Sequence, residues 1–130
     1  MNPSEKVIET AIVNYLRSIG VWCQKVHSGA VLQTYTTVGG TKKTYKIKLA
    51  DEGTPDILAC IKGKFVGIEV KKNEKEKQKW EKGSDQRSRA QQNQRNMIVE
   101  AKGIYLLVCS LPDLYQDLAE LGLVKPSKPF

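Results

Sequence analysis

The residues best suited to chemistry are Asp56, Glu69 and Lys71, in the stretch Gly53 to Lys71, which reads Gly-Thr-Pro-Asp-Ile-Leu-Ala-Cys-Ile-Lys-Gly-Lys-Phe-Val-Gly-Ile-Glu-Val-Lys. Two apolar runs, Ile57 to Ile61 and Phe65 to Val70, flank Lys62-Gly63. Gly63 can supply the positive φ that a tight hairpin turn demands. The pattern predicts two antiparallel strands, so the start of the first lies beside the end of the second. Asp56 then meets Glu69 and Lys71 at one end of a sheet. Glu69 and Lys71 are two apart and share a face, while Ile68 and Val70 turn toward the core. Two converging carboxylates need a neutralising partner. A hard divalent cation fits, because Mg²⁺ is held by one or two carboxylates together with waters and substrate phosphates. A lysine beside them can orient or activate a water, or stabilise a negatively charged transition state. This is the outline of a phosphodiester-cleaving site. The plainer alternative is a hairpin whose surface charges alternate.

The elements that would position these groups follow from periodicity. Ser4 can cap a helix beginning at Glu5, with apolar residues at Ile8, Ala11, Ile12, Tyr15, Leu16 and Ile19, and Gly20 at its end. Glu5 and Glu9 lie four apart on one flank of that helix. Val21 to Val26 reads as a first strand, followed by a His27-Ser28-Gly29 loop. Thr34 to Val38 and Thr44 to Leu49 predict a second hairpin. Its tip, Gly39-Gly40-Thr41-Lys42-Lys43, is basic, and Tyr35 and Tyr45 interleave with lysines. Basic and aromatic side chains together suit a nucleic-acid surface, with Lys42 and Lys43 as contacts. Lysines guarding a sheet edge would look the same. Lys72, directly after the Glu69-Val70-Lys71 triplet, is a further basic contact. The charge-dense run Lys72 to Arg87 has one large apolar residue, Trp80, and predicts a mobile loop or exposed helical turn anchored by that ring. A helix from Ser88 carries Gln91, Gln92 and Gln94 and closes at Gly103. Ile104 to Cys109 is continuously apolar, as in a central buried strand. Ser110 caps a last helix with Pro112 in its first turn and Gly122 at its end. Residues 1–124 form one domain on this reading, and 125–130 a loose tail.

The chain has 130 residues and a formal net charge of +7. That length suits one core, and the excess charge favours a polyanionic partner, nucleic acid first. No apolar run approaches the roughly 20 residues that span a bilayer, and a signal-peptide core is absent, so no membrane association is expected. Cys23, Cys60 and Cys109 form no CxxC pair and read as buried reduced thiols, which places the protein in a reducing, cytoplasmic compartment.

Pro55-Asp56 and Glu69-Val70-Lys71 resemble the signature of the PD-(D/E)xK nuclease superfamily. The form Gly53-x-Pro55-Asp56-Ile57 followed by Ile68-Glu69-Val70-Lys71 is similar, more narrowly, to the VRR-NUC family of virus-type replication-repair nucleases. The resemblance is concentrated in Gly53 to Lys71 and extends weakly from about Glu5 to about Leu118. It implies a restriction-endonuclease-like α/β core, a mixed four- or five-stranded sheet flanked by helices. It implies that Asp56, Glu69 and an acid on the first helix hold one or two Mg²⁺ or Mn²⁺ ions. Glu9 matches that acid by its spacing from Gly20, with Glu5 as the fallback, and the backbone carbonyl of Val70 is a further ligand. Lys71 would orient or deprotonate the attacking water. Gln91 fits the family's glutamine in a Ser88-Arg89-Ala90-Gln91 setting, with Gln92 and Gln94 as alternatives. Ser28 would touch the DNA backbone. The link from Lys71 to that glutamine is longer here than in many members. The implied activity is a metal-dependent, structure-selective DNA endonuclease acting on branched DNA such as four-way junctions, as in the similar archaeal Holliday-junction resolvases. Solitary VRR-NUC domains belong to phages and bacteria and serve DNA repair. A symmetric homodimer would supply the paired incisions, with Leu111, Leu114, Tyr115, Leu118, Leu121 and Leu123 as spare interface residues. The alternatives are a non-catalytic binding module of the same fold and a sequence-specific restriction-type enzyme.

Overall fold

The computed structural model describes residues 4–27 and 29–125. The elements run α1 (Glu5–Ser18), β1 (Trp22–Lys25), β2 (Gly29–Thr36), β3 (Lys42–Ala50), β4 (Ile57–Ile61), β5 (Lys64–Val70), α2 (Glu74–Lys82), α3 (Gln86–Glu100), β6 (Ile104–Val108) and α4 (Leu111–Glu120). The fold is α/β. Its mixed four-stranded sheet has the order β1-β4-β5-β6, and β2 and β3 form a separate two-stranded ribbon. β4 runs antiparallel to β1 and β5, while β6 is parallel to β5.

The β4–β5 hairpin turns at Lys62 and Gly63, both at positive φ (50° and 78°), which matches the right-handed twist of the flanking strands. Alternation then divides the sheet into two faces. Ile57, Ala59, Ile61, Val66, Ile68, Val70, Leu106 and Val108 meet Ile8, Ile12, Val13 and Leu16 of α1 and Leu114 and Leu118 of α4 in one core. Ser4 caps α1, its hydroxyl accepting from the Val7 amide at 3.3 Å.

The opposite face is built more sparingly. Glycine lets other chain segments come close there. A Cβ on Gly67 would lie 2.9 Å from Cγ of the buried Pro55, and 3.4 Å from Cδ1 of Ile98 on α3. A Cβ on Gly53, whose φ is +85°, would run into the Ala90 carbonyl and lie 2.7 Å from the Gln91 amide. The Gly53-Thr54-Pro55-Asp56 segment is therefore sandwiched between β5 and α3, and Asp56 is aimed by that packing.

Several expectations need correction. Of the two readings of the segment after Lys71, the exposed helical turn holds and the mobile loop does not. Asn73 accepts from the Glu76 amide at 2.9 Å, Gly83 closes the helix in the left-handed region, and α2 fills the span between. Its lone large apolar residue and the Lys77–Asp113 ion pair at 2.9 Å dock it. Trp80 is buried, stacks on Tyr105 (centroids 5.9 Å apart) and carries the Arg95 guanidinium 5.2 Å from its ring. α3 starts at Gln86 under an Asp85 cap, not at Ser88. β6 lies at an edge of the sheet rather than its centre. Its apolar run is explained by helices on both faces. Of the cysteines only Cys23 is buried, and Cys60 is exposed on β4. Lys42 and Lys43 open β3 instead of capping the hairpin, whose turn closes through Thr37 and Thr41. Of the six apolar residues expected to be spare in the C-terminal segment, Leu114, Leu118 and Leu123 are buried in the protein's own core, Leu111 and Tyr115 are half-buried, and Leu121 is exposed. Residues 126–130 of the expected tail lie outside the described residues.

Gly53→Ala should destabilise the fold by about 2–4 kcal/mol, combining a positive-φ penalty with overpacking against α3. Gly40→Ala shares the positive φ, but its Cβ would meet nothing within 4 Å. It should cost only about 1–2 kcal/mol. Urea unfolding of both variants checks the difference; equal losses would show that the close approach to α3 is unimportant.

Candidate active site

The β4–β5 ladder pairs Ile57 with Ile68. One step further places Asp56 opposite Glu69, and directly opposed residues project to the same face. The Asp56 carboxylate (Oδ2) accepts from the Val70 amide at 2.8 Å. The Asp56 carbonyl accepts from the Val26 amide, also at 2.8 Å. Backbone groups of β5 and of the chain after β1 thus fix the aspartate at the strand ends.

Glu69 is 1% exposed. Its Oε2 accepts from Nε2 of Gln91 at 3.0 Å and lies 3.7 Å from Nζ of Lys71. Lys71 in turn donates to Oε1 of Gln91 at 3.1 Å. Gln91 is itself buried, and its amide joins acid and base into one closed triangle. The other two glutamines go elsewhere: Gln92 donates to the Trp80 carbonyl and Gln94 to the Glu52 carbonyl. The remaining Glu69 oxygen, Oε1, is buried with no hydrogen-bond partner. A buried carboxyl oxygen without a partner is costly, and that cost favours the protonated form.

Electrostatics describe the same crowding. Burial first, the Asp56 charge second, and a hydrogen bond that the protonated carboxyl shares with Asp56 hold Glu69 well above the usual carboxylate range; Lys71 and Arg87 pull the other way. Glu9 on α1 is pushed up to about 6, again by burial and then by Asp56, against the opposing charge of Lys25. Glu5 adds only the smallest contribution to Glu9. Three carboxylates thus gather at one end of the sheet, with Lys25, Lys71 and Arg87 opposing them. They offer the oxygen donors that a hard divalent cation takes, but their oxygens do not all lie within 4.8 Å of one another.

Asp56, Glu69, Lys71, Gln91 and Glu9 are brought together, and the Val70 backbone lies among them. Lys72 is adjacent in sequence and exposed; Lys42, Lys43 and His27 are exposed outside this triangle. Ser28 lies outside the described residues. Two contributors escaped the sequence reading. Arg87 lies four residues before Gln91 on α3, hence on the same helical face, and its charge reaches Glu69. Tyr105 has a buried hydroxyl without a partner, and its pKa is driven upward by burial, then by Glu69 and Asp56. The signal for Tyr105 was its parity in β6, opposite to core-facing Leu106 and Val108.

Among the described residues, Glu74, Cys109 and Asp113 bring potential ligand atoms within 4.8 Å of one another. Lys77 already pairs with Asp113 at 2.9 Å and Glu74 at 3.7 Å. Burial and a hydrogen bond to Glu74 push the Cys109 thiol up to about 12. A neutral thiol and a satisfied ion pair make this cluster a tie between α2, the end of β6 and α4. No helix among the described residues is long and apolar enough to cross a membrane. No family model, curated protein or solved structure matches the chain.

Both carboxyl shifts are upward from an ordinary value of 4.5. The unfolded chain loses these protons first, so the stability they contribute is full below about pH 4.5. It is lost as pH rises through about 6 for Glu9, and at higher pH for Glu69. In chelator, the urea midpoint should fall between about pH 5 and about pH 8. Glu69→Gln should flatten that fall and stabilise the metal-free protein by about 1–3 kcal/mol at the alkaline end. A Glu69→Gln profile parallel to wild type would refute the crowding.

Proposed function

We propose that this protein is a metal-dependent DNA endonuclease with a restriction-endonuclease-like PD-(D/E)xK core, akin to the VRR-NUC family, acting on branched DNA such as four-way junctions. The observation that carries the reading is the buried Glu69, with one oxygen lacking any donor, placed opposite Asp56 and tied to Lys71 through Gln91. A structural ion pair would leave the carboxylate ionised; this arrangement sets two carboxyl groups against one another, with Glu69 held toward its protonated form. The net charge of +7 supports a polyanionic substrate.

Asp56, Glu69 and Glu9, with the Val70 carbonyl, would hold Mg²⁺ or Mn²⁺, which when bound supplies Lewis-acid polarisation of the scissile phosphate and stabilises the leaving oxygen. The chain's own groups do the positioning. The Val70 amide holds Asp56 in place. Gln91 holds Lys71 and Glu69 at fixed spacing, so that Lys71 Nζ orients the attacking water and faces the charge that builds on the phosphate. Arg87 adds positive charge that reaches Glu69.

Incubation of the protein with four-way, nicked and linear DNA, with Mn²⁺ or chelator, tests the reading. Metal-dependent cutting, strongest on the junction, is expected. Lys71→Ala should lower the single-turnover rate by about 10²–10³-fold while DNA binding survives. Gln91→Ala should lower it by a smaller factor, about tenfold or more, because it only positions the lysine and the glutamate. Near wild-type turnover in Lys71→Ala would sink the assignment.

A further inference from the structure

The β2–β3 ribbon belongs neither to the core nor to the carboxylate cluster. It pairs with itself from Gly29 to Ala50 and forms its own sheet. A lone two-stranded ribbon is marginally stable in water. Large apolar side chains nonetheless stand open on it, with Leu32 71% and Tyr45 50% exposed. Its register sorts the side chains. Leu32 pairs with Lys46, Thr34 with Thr44 and Thr36 with Lys42, so these six residues share one face. The Thr34 and Thr44 hydroxyls lie 3.2 Å apart on that face. Tyr35 and Tyr45 stack edge to face on the other side, where Lys43 also stands. Residues 29–50 contain four lysines and no acid.

We propose that this ribbon is a duplex-DNA arm whose Lys42–Thr44–Lys46 face lies on the phosphates flanking the carboxylate cluster. The proposal rests on the nuclease reading above and adds where the duplex lies. Charge complementarity selects the occupant: lysines and hydroxyls with no acid among them match a phosphate backbone. Position supports it. The ribbon leaves the sheet after Lys25 and returns at Asp56, and the hydrogen bond between the Val26 amide and the Asp56 carbonyl closes its root at the carboxylate end. Eight paired residues extend ~27 Å, or about 8 base pairs at 3.4 Å each. A two-stranded β-ribbon is also narrow enough to enter a major groove. Lys42 and Lys43, adjacent in sequence, thereby separate into a phosphate contact and a bystander.

The test is an anisotropy titration of a duplex of roughly 30 base pairs, longer than that reach, with the full chain in chelator over a series of salt concentrations. Lys42→Ala/Lys46→Ala should weaken binding at least about tenfold and lower the log–log salt slope by about 1.8. Lys43→Ala should lower that slope far less. Lys64→Ala/Lys125→Ala removes equal charge at the far end of the sheet and should change affinity less than about threefold. Equal losses in the two double variants, or wild-type binding by the ribbon variant, would overturn the arm. Conversion of a dimer to a monomer by Tyr35→Ser/Tyr45→Ser, with duplex binding intact in Lys42→Ala/Lys46→Ala, would also overturn it and make the ribbon a contact between copies. Since the titration needs no metal, a protein that binds through the ribbon yet cuts nothing overturns the nuclease reading and leaves the arm standing.

Discussion

Burial of the Glu69 carboxylate opposite Asp56 is the constraint around which the molecule is arranged. Removing two like charges from water is unfavourable unless partners are supplied. The fold supplies some and withholds others. Gln91 and Lys71 serve one oxygen of Glu69, the Val70 amide serves Asp56, and the second Glu69 oxygen has no donor. The two apolar layers keep this tolerable. α1 and α4 bury the other face of the sheet thoroughly, and that surplus of apolar burial stabilises a frame in which local electrostatic strain persists.

The face bearing the acids depends on close approach. Pro55 lies over Gly67, and Gly53 lies against α3. Together they set the distance between the Asp56 segment and Gln91. Trp80, Tyr105 and Arg95 form a second contact on this face, where an indole, a phenol and a guanidinium stack. That stack holds α2, a helix with almost no apolar surface of its own, and the loop to α3 begins from it.

Much of this was legible in the sequence because it is local. Period-two runs around Lys62-Gly63 specified the β4–β5 hairpin, and the hairpin alone brings Asp56 to Glu69. Ser4, Ser110 and the 3.6-residue stripe of α1 specified helix starts and a core face. What was illegible depends on distant partners. Nothing near Trp80 in sequence announces Tyr105, so α2 looked unsupported. Three glutamines within four positions of α3 are equivalent until the helix is docked; Gly53 settles their phase, because its lack of a side chain lets Gln91 approach. The edge position of β6 was hidden for a related reason: helices on both sides of a strand make its sequence as apolar as that of a central one.

The hydrogen bond between Val26 and Asp56 closes the chain on itself before and after the ribbon. Topologically, everything from His27 to Pro55 is a single excursion from one sheet position, and β1 pairs with β4 without needing it. Lengthening such an excursion costs little closure entropy, which grows only with the logarithm of its length. The ribbon is therefore an excursion from a fixed seam. Its length can change at little cost while the sheet register, and with it the spacing of Asp56 and Glu69, stays constant.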